Sequence, residues 1–214
     1  MELNFSREFQ LNMQNAIVFT HNLLAENFAK TAHGLLRGTD RYNVVAVIDS
    51  LHYGKDAGEV LDGKKINIPV YKSVTDFIDA SDINAELCIV GVAFPGGILP
   101  KNCREELIEA IKCELSIVSG LHHYLSEDSE FVALANQHNV KLIDIRKPKP
   151  VSDLQFWSGK ILDINIPIIA VLGTDCAVGK RTTARLILEN CKKEKINAEL
   201  IYTGQTGWMQ GYQH

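Results

Sequence analysis

The stretch "NAIVFTHNLLAENFAKTAHGLLRGTDRYNVVAVID" (15–49) decides the fold of the first part of the chain. "NAIVFT" (15–20) reads as a short buried strand. Segment 22–37 sets Leu24, Phe28, Ala32 and Leu35 at helical spacing, which predicts a helix. "YNVVAVID" (42–49) is a second buried strand, rich in valine. Strand, helix and strand in succession begin an alternation that the following residues repeat.

Residues 50–66 contain Gly54, Gly58 and Gly63 and are expected to form an irregular loop. "INIPVY" (66–71) is a short strand, and Ser73 with Asp76 makes a capping-box start for a helix reaching Ala80. "AELCIVGVA" (85–93) is a strand that runs into the turn-rich "FPGGILP" (94–100). A helix over 103–114 places Cys103, Leu107, Ala110 and Ile111 on one face. "LSIVSG" (115–120) is a strand, 129–138 a helix with Phe131, Leu134, Ala135 and His138 on one face, and "VKLIDI" (140–145) a last strand. This is the signature of an α/β fold, a Rossmann-like open sheet that is mainly parallel. Such sheets bind ligands beyond the carboxyl ends of their strands, here 20–22, 49–52, 94–97 and 119–123.

Several residues at those ends are candidates. Asp49 stands where an acidic residue holds a ribose hydroxyl in dinucleotide folds, but the first turn reads "THNLLAENF" and lacks G-x-G-x-x-G, so NAD is not expected. Pro95, Gly96 and Gly97 can bring backbone N–H groups close to a ligand, or simply make a tight connection. His122 or His123, just past a strand end, is a candidate general base, set against the plain reading of a polar loop. Lys30, Thr31, His33 and Arg37 read as the solvated face of the first helix.

"RKPKP" (146–150) is charged and twice interrupted by proline, which suits an extended linker. A second unit opens with "IPIIAVLG" (166–173), a predicted strand. The glycine-rich stretch "GTDCAVGKRTT" (173–183) follows, then a helix with Ala184, Ile187, Leu188 and Cys191 on one face, then a predicted strand "AELIYT" (198–203). Strand, loop and helix in this order are the context of a phosphate-binding loop, whose N–H groups and helix dipole face an anion. Gly173, Thr174, Asp175, Cys176, Ala177, Val178, Gly179, Lys180, Arg181, Thr182 and Thr183 form the candidate cradle, with Lys180 neutralising terminal phosphates. Five residues rather than four separate its glycines, and Arg181 takes the place of the Ser or Thr that ligates Mg²⁺. Thr182, one position later, is the nearest substitute ligand. A helix turns about 100° per residue, so Thr182 does not occupy the same spot. Gln205 and Thr206, in "GQTGW" (204–208), are candidate phosphate-sensing or substrate contacts.

The composition, 46% hydrophobic and 22% charged over 214 residues with net charge −4, is that of a soluble globular chain without a dedicated nucleic-acid surface. The apolar runs are too short to span a bilayer. The five cysteines form no CxxC pair and suit a reducing, cytoplasmic setting.

The front "GTD" and the five-residue spacing resemble dethiobiotin synthetase and related ATP-dependent enzymes. "DAGEVLDGK…IPV" (56–70), "VGVAFPGG" (90–97), "IVSGLHHYLS" (117–126), "RKP" (146–148), "FWSGK" (156–160), "GTDCAVGKRTTA" (173–184) and "TGQTGWM" (203–209) together are similar to a bacterial family of two-domain proteins of long-unknown function. The resemblance implies a Rossmann-like N-terminal domain (1–146), a linker (147–165) and a C-terminal P-loop domain begun at 166–214. The family's P-loop domain runs further than this chain, so a truncated domain is expected. Some members of that family are assigned as D-glutamate N-acetyltransferases. The implied function is acetyl-CoA-dependent N-acetylation of an amino acid, with Lys180 and His122 as catalytic candidates. The open alternatives are an ATP-dependent ligase or kinase-like enzyme with Mg²⁺, and a non-catalytic nucleotide-binding module or inactive fragment. A small-molecule substrate is the expected partner, with a second copy of the chain as a further one.

Overall fold

The structure, a computed structural model, describes residues 13–94, 99–175, 178–202 and 204–212. It divides into two compact units, Met1–Arg146 with Ile201–His214, and Lys147–Leu200. Each is described by itself.

The first unit is an α/β sandwich around a six-stranded parallel sheet. Its elements are β1 (Gln14–Phe19), α1 (Lys30–Leu36), β2 (Tyr42–Ile48), α2 (Ala57–Asp62), β3 (Val70–Tyr71), α3 (Val74–Ala80), β4 (Leu87–Val90), α4 (Lys101–Lys112), β5 (Ser116–Ser119), α5 (Ser129–Gln137) and β6 (Leu142–Asp144). The strand order is β3-β2-β1-β4-β5-β6. All pairs are parallel. Sheets covered on both faces need strands without polar alternation. β1 meets this with Ala16, Ile17, Val18 and Phe19, all at most 1% exposed, and β4 with four buried residues. Cys103, Leu107, Ala110 and Ile111 of α4 are fully buried against the sheet, as their spacing predicts.

Three local differences from the sequence reading have physical reasons. The segment 50–66 contains α2, capped by Asp56, whose carboxylate accepts from Gly58 N (2.8 Å) and Glu59 N (3.2 Å). A Cβ on Gly58 would lie 2.3 Å from Lys64 O, so glycine there serves close packing rather than a loop. Second, α1 begins at Lys30, after a 3₁₀ turn at Asn27–Ala29, and Phe28 is 48% exposed. Third, the face expected to be solvated is mostly not. Thr31 is buried, and the His33 imidazole Nε2 bonds Leu24 O at 2.7 Å. Arg37 makes an exposed pair with Asp62.

The second unit holds α6 (Lys180–Lys193) and two 3₁₀ turns, Val151–Asp153 and Lys160–Asp163. The strands predicted at 166–173 and 198–203 are absent among the described residues. A strand requires a neighbour to accept its ladder bonds, and none is present among the described residues of this unit. Ile166, Ile168, Ile169 and Leu172 are accordingly 65–85% exposed. Leu188 is the one residue buried among those described in the unit.

Residues 204–212, assigned by sequence to the P-loop domain, pack in the first unit. There α7 (Gln205–Met209) lies on α1. Gln210 Nε2 donates to Gly34 O (2.8 Å) and Gly38 O (3.0 Å), Thr39 Oγ1 to Met209 O (2.8 Å), and Arg41 Nε to Trp208 O (2.7 Å). No described helix is long and apolar enough to cross a membrane.

Candidate functional site

The order of strands reverses between β1 and β4, the point at which open α/β sheets form a crevice. The chain leaves β1 through His21 and Asn22, both in the left-handed region (φ 49° and 64°). Two consecutive non-glycine residues of that kind hold only where surrounding bonds impose them. Asn22 Oδ1 accepts from Ser50 Oγ (2.7 Å) and Leu51 N (3.0 Å). Asp49, 1% exposed, is the second tie. Its Oδ2 accepts from Thr20 Oγ1 (2.7 Å) and Leu24 N (3.0 Å), and its Oδ1 from His52 N (3.2 Å), with the His52 imidazole at 2.8 Å. Asp49 therefore clamps the turn after β1 to the end of β2, a role that occupies both carboxylate oxygens.

Sequence reasoning missed the group around His21. Its Nδ1 lies 2.7 Å from Glu106 Oε1 and its Nε2 2.8 Å from Asn102 Nδ2, both from α4. Burial raises the Glu106 pKa, and the bond to His21 opposes that rise. The partners lie 85 positions apart, so no local signal marks the pair.

A cavity of about 620 Å³ in the first unit is lined by Lys30, Ala93, Phe94, Gly120, Leu121, His122, Arg146 and Gln205. Lys30 begins α1, Gly120 to His122 follow β5, and Arg146 follows β6. His122 enters it, while His123 faces Asp128 at 3.7 Å. The two histidines thus diverge. Gln205, a candidate phosphate-sensing or substrate contact, lines this cavity and accepts from Arg146 Nη2 (2.5 Å). Thr206 is buried beside Thr31, hydroxyl to hydroxyl at 3.4 Å. Pro95, Gly96 and Gly97 lie outside the described residues. Burial pushes the Cys88 and Cys103 thiols up to about 12, so neither serves as a thiolate nucleophile.

In the second unit the glycine-rich loop leads into α6. Gly179 sits in the left-handed region (φ 89°) as its N-cap, and no side chain caps the helix. The first helical bond is Thr183 N to Gly179 O at 2.9 Å. A helix start without a side-chain cap leaves N–H donors for an anion. A Cβ on Gly173 would lie 2.9 Å from Val178 Cγ2 and 3.0 Å from Lys180 Cγ, so only glycine lets the loop close so tightly. Lys180 Nζ donates to Asp175 O across the loop, which keeps the ammonium within the cradle. Thr174, Asp175, Val178, Thr182 and Thr183 are exposed, and Arg181 is half-buried. Cys176 and Ala177 lie outside the described residues. The loop fits a phosphate group. For Mg²⁺ it offers the displaced hydroxyl of Thr182, and no cluster of three His, Cys, Asp or Glu suited to a metal occurs among the described residues.

Comparison with known proteins matches both units. Residues 50–148 match the Rossmann-like domain of unknown function DUF1611_N, and residues 155–214 match the DUF1611 C-terminal P-loop domain. The chain belongs to this family. A crystal structure of a DUF1611 family protein from Anabaena variabilis is similar at 28% identity with TM-score 0.81, covering 92% of this chain and 55% of that one. Two curated relatives are named D-glutamate N-acetyltransferase. The one from Pseudoalteromonas is 35% identical over 129 residues, and the one from Tritonibacter scottomollicae 31% over 132. Each match covers 60% of this chain and 38% of the relative's length.

Proposed function

We propose that this chain takes part in N-acetylation of an acidic amino acid by acetyl-CoA in the cytoplasm, its P-loop holding phosphate groups of the coenzyme. The observation that carries the reading is the pair of relatives named D-glutamate N-acetyltransferase. The loop geometry supports it, since coenzyme A bears a pyrophosphate and a 3′-phosphate. The N–H groups at the start of α6 and the ammonium of Lys180 would bind these groups. In the reaction the substrate amine attacks the thioester carbonyl, a C–N bond forms, and the C–S bond breaks as the thiol leaves. The amine must shed a proton, and His122, in the crevice of the first unit, is the acceptor in this reading.

Calorimetry with acetyl-CoA and with ATP–Mg²⁺, on this chain and on a full-length relative, tests the reading. Acetyl-CoA should bind, and Lys180→Ala should weaken it about 10- to 100-fold, the worth of one charged hydrogen bond. A thiol-release assay with D-glutamate should follow suit. Binding of ATP–Mg²⁺ without acetyl-CoA would replace this reading with an ATP-dependent ligase or kinase. Binding of neither would leave a non-catalytic module.

A further inference from the structure

We propose that Arg146 anchors the α-carboxylate of a free amino acid in the cavity of the first unit, and that Gln205 is the positioning residue that aims its guanidinium. That the ligand is an amino acid rests on the acetyl-transfer reading; that the anchor takes a carboxylate rests on the arginine and the bonds that fix it.

The arginine is held in advance. Arg146 follows β6, and its Nε donates to Gly120 O (2.7 Å) while its Nη2 donates to Gln205 Oε1 (2.5 Å). Two fixed points set the plane of the guanidinium. Both acceptors are neutral oxygens, so these bonds orient the cation without neutralising it. They use two of the five N–H donors of an arginine and leave the Nη1 pair and one on Nη2, a fork that matches the two oxygens of a carboxylate. A side chain already immobilised loses little rotamer entropy on binding.

The surroundings are fitted to this arrangement. Gln205 reaches the arginine because residue 120 is glycine: a Cβ there would lie 2.8 Å from Gln205 Cγ and 3.4 Å from its Cβ. Gln205 is in turn carried by α7, whose Thr206, Gly207 and Met209 are buried. The end of β5, the end of β6 and the start of α7 thus converge to orient one guanidinium.

The same segment carries the candidate base. His122 lines the cavity two residues after Gly120, whose carbonyl holds Arg146. The α-carboxylate and the amine of an amino acid share one carbon. An anchor and a proton acceptor fixed to one short segment suit that pair of groups. Ala93, Phe94 and Leu121 add apolar surface, and a cavity of about 620 Å³ is of the size that small-molecule sites occupy. The phosphate cradle of this chain is built otherwise, from N–H groups at the uncapped start of α6.

The test is calorimetry on the 214-residue chain with D-glutamate, D-isoglutamine, in which an amide replaces the α-carboxylate, and D-glutamine, in which an amide replaces the side-chain carboxylate. D-Isoglutamine should bind at least about tenfold more weakly than D-glutamate, and D-glutamine should lose clearly less. Arg146→Lys keeps the charge but not the fork. It should weaken D-glutamate about tenfold and erase the preference over D-isoglutamine, an effect that a merely structural tie would not produce. Gln205→Ala and Gly120→Ala, which release the guanidinium without removing it, should narrow the preference by less. Arg37→Gln, a charge change at the exposed Asp62 pair, should leave it unchanged. Far-UV circular dichroism and melting confirm that each variant folds, and the comparison of ligands on the parent chain needs no variant. The proposal is overturned if none of the three ligands binds, if D-glutamate and D-isoglutamine bind alike, if Arg146→Lys keeps the parent's preference, or if inorganic phosphate at equal concentration abolishes D-glutamate binding. The preference without thiol release from acetyl-CoA would uphold the anchor and reject the acetyl-transfer reading. Equal thiol release with D-glutamate and D-isoglutamine would reject the anchor and keep that reading.

Discussion

Two apolar runs with the same local character have different fates. "NAIVFT" (15–20) becomes the central strand β1, and "IPIIAVLG" (166–173) forms no strand. Each is followed by a loop and a helix. Ile17 is fully buried, whereas Ile169 is 70% exposed. β1 has β2 on one side and β4 on the other. The second run has no partner strand among the described residues of its own unit. An apolar run specifies what a strand would bury, and the neighbours decide whether it exists.

The largest expected effect tests that contrast directly. Ile17→Ala should destabilise the first unit by about 2–5 kcal/mol, the usual cost of truncating a buried isoleucine. Ile169→Ala should fall within about 0.5 kcal/mol, as exposed substitutions do. Urea denaturation followed by circular dichroism measures both. Equal losses would mean that 166–173 is buried in solution, and the contrast would collapse.

The same logic explains what the sequence disclosed. The parallel sheet was legible because strands covered on both faces carry uninterrupted apolar runs, and α4 because four buried positions recur at helical spacing. α2 escaped because three glycines read as loop, although Asp56, Glu59 and Gly63 mark its cap, first turn and left-handed end (φ 70°). The phosphate loop was legible from order alone. The crevice was not, because Lys30, Gly120, Arg146 and Gln205 converge only through the strand order and the packing of α7 on α1. Gln205 follows the phosphate loop in sequence yet belongs to the other unit.

A second, smaller effect compares how helices begin in the two units. α5 is sealed by Asp128, whose carboxylate caps Glu130 N (3.1 Å) and Phe131 N (3.3 Å) and takes two bonds from Arg104 (2.6 and 2.7 Å). α6 has no side-chain cap. The Arg104 guanidinium, with the backbone donors, holds the Asp128 pKa down to about 2 from 3.8. A depressed carboxylate stabilises the fold above its unfolded value and loses that contribution as pH falls through the folded value. Asp128→Ala should therefore cost about 1–2 kcal/mol at pH 7. Its deficit relative to the parent should shrink between about pH 4 and pH 2, as measured by denaturation across that range. A deficit independent of pH would assign the loss to packing, and the contrast between a sealed and an open helix start would lose its electrostatic basis.

The smallest effect uses the two tryptophans, one in each unit. Trp157 is 77% exposed, while Trp208 is half-buried with the Arg41 guanidinium 4.0 Å from its ring centroid. A cation over an aromatic face contributes about 0.5–1 kcal/mol at such a site. In a Trp157→Phe background, Trp208 fluorescence should report one cooperative transition, and Arg41→Gln should move its midpoint down by that amount. In a Trp208→Phe background, Trp157 emission should begin solvent-exposed and shift little on unfolding. A cooperative shift from Trp157 would place it against a packed surface. It would show that residues 147–200 bury more in solution than their own side chains can supply.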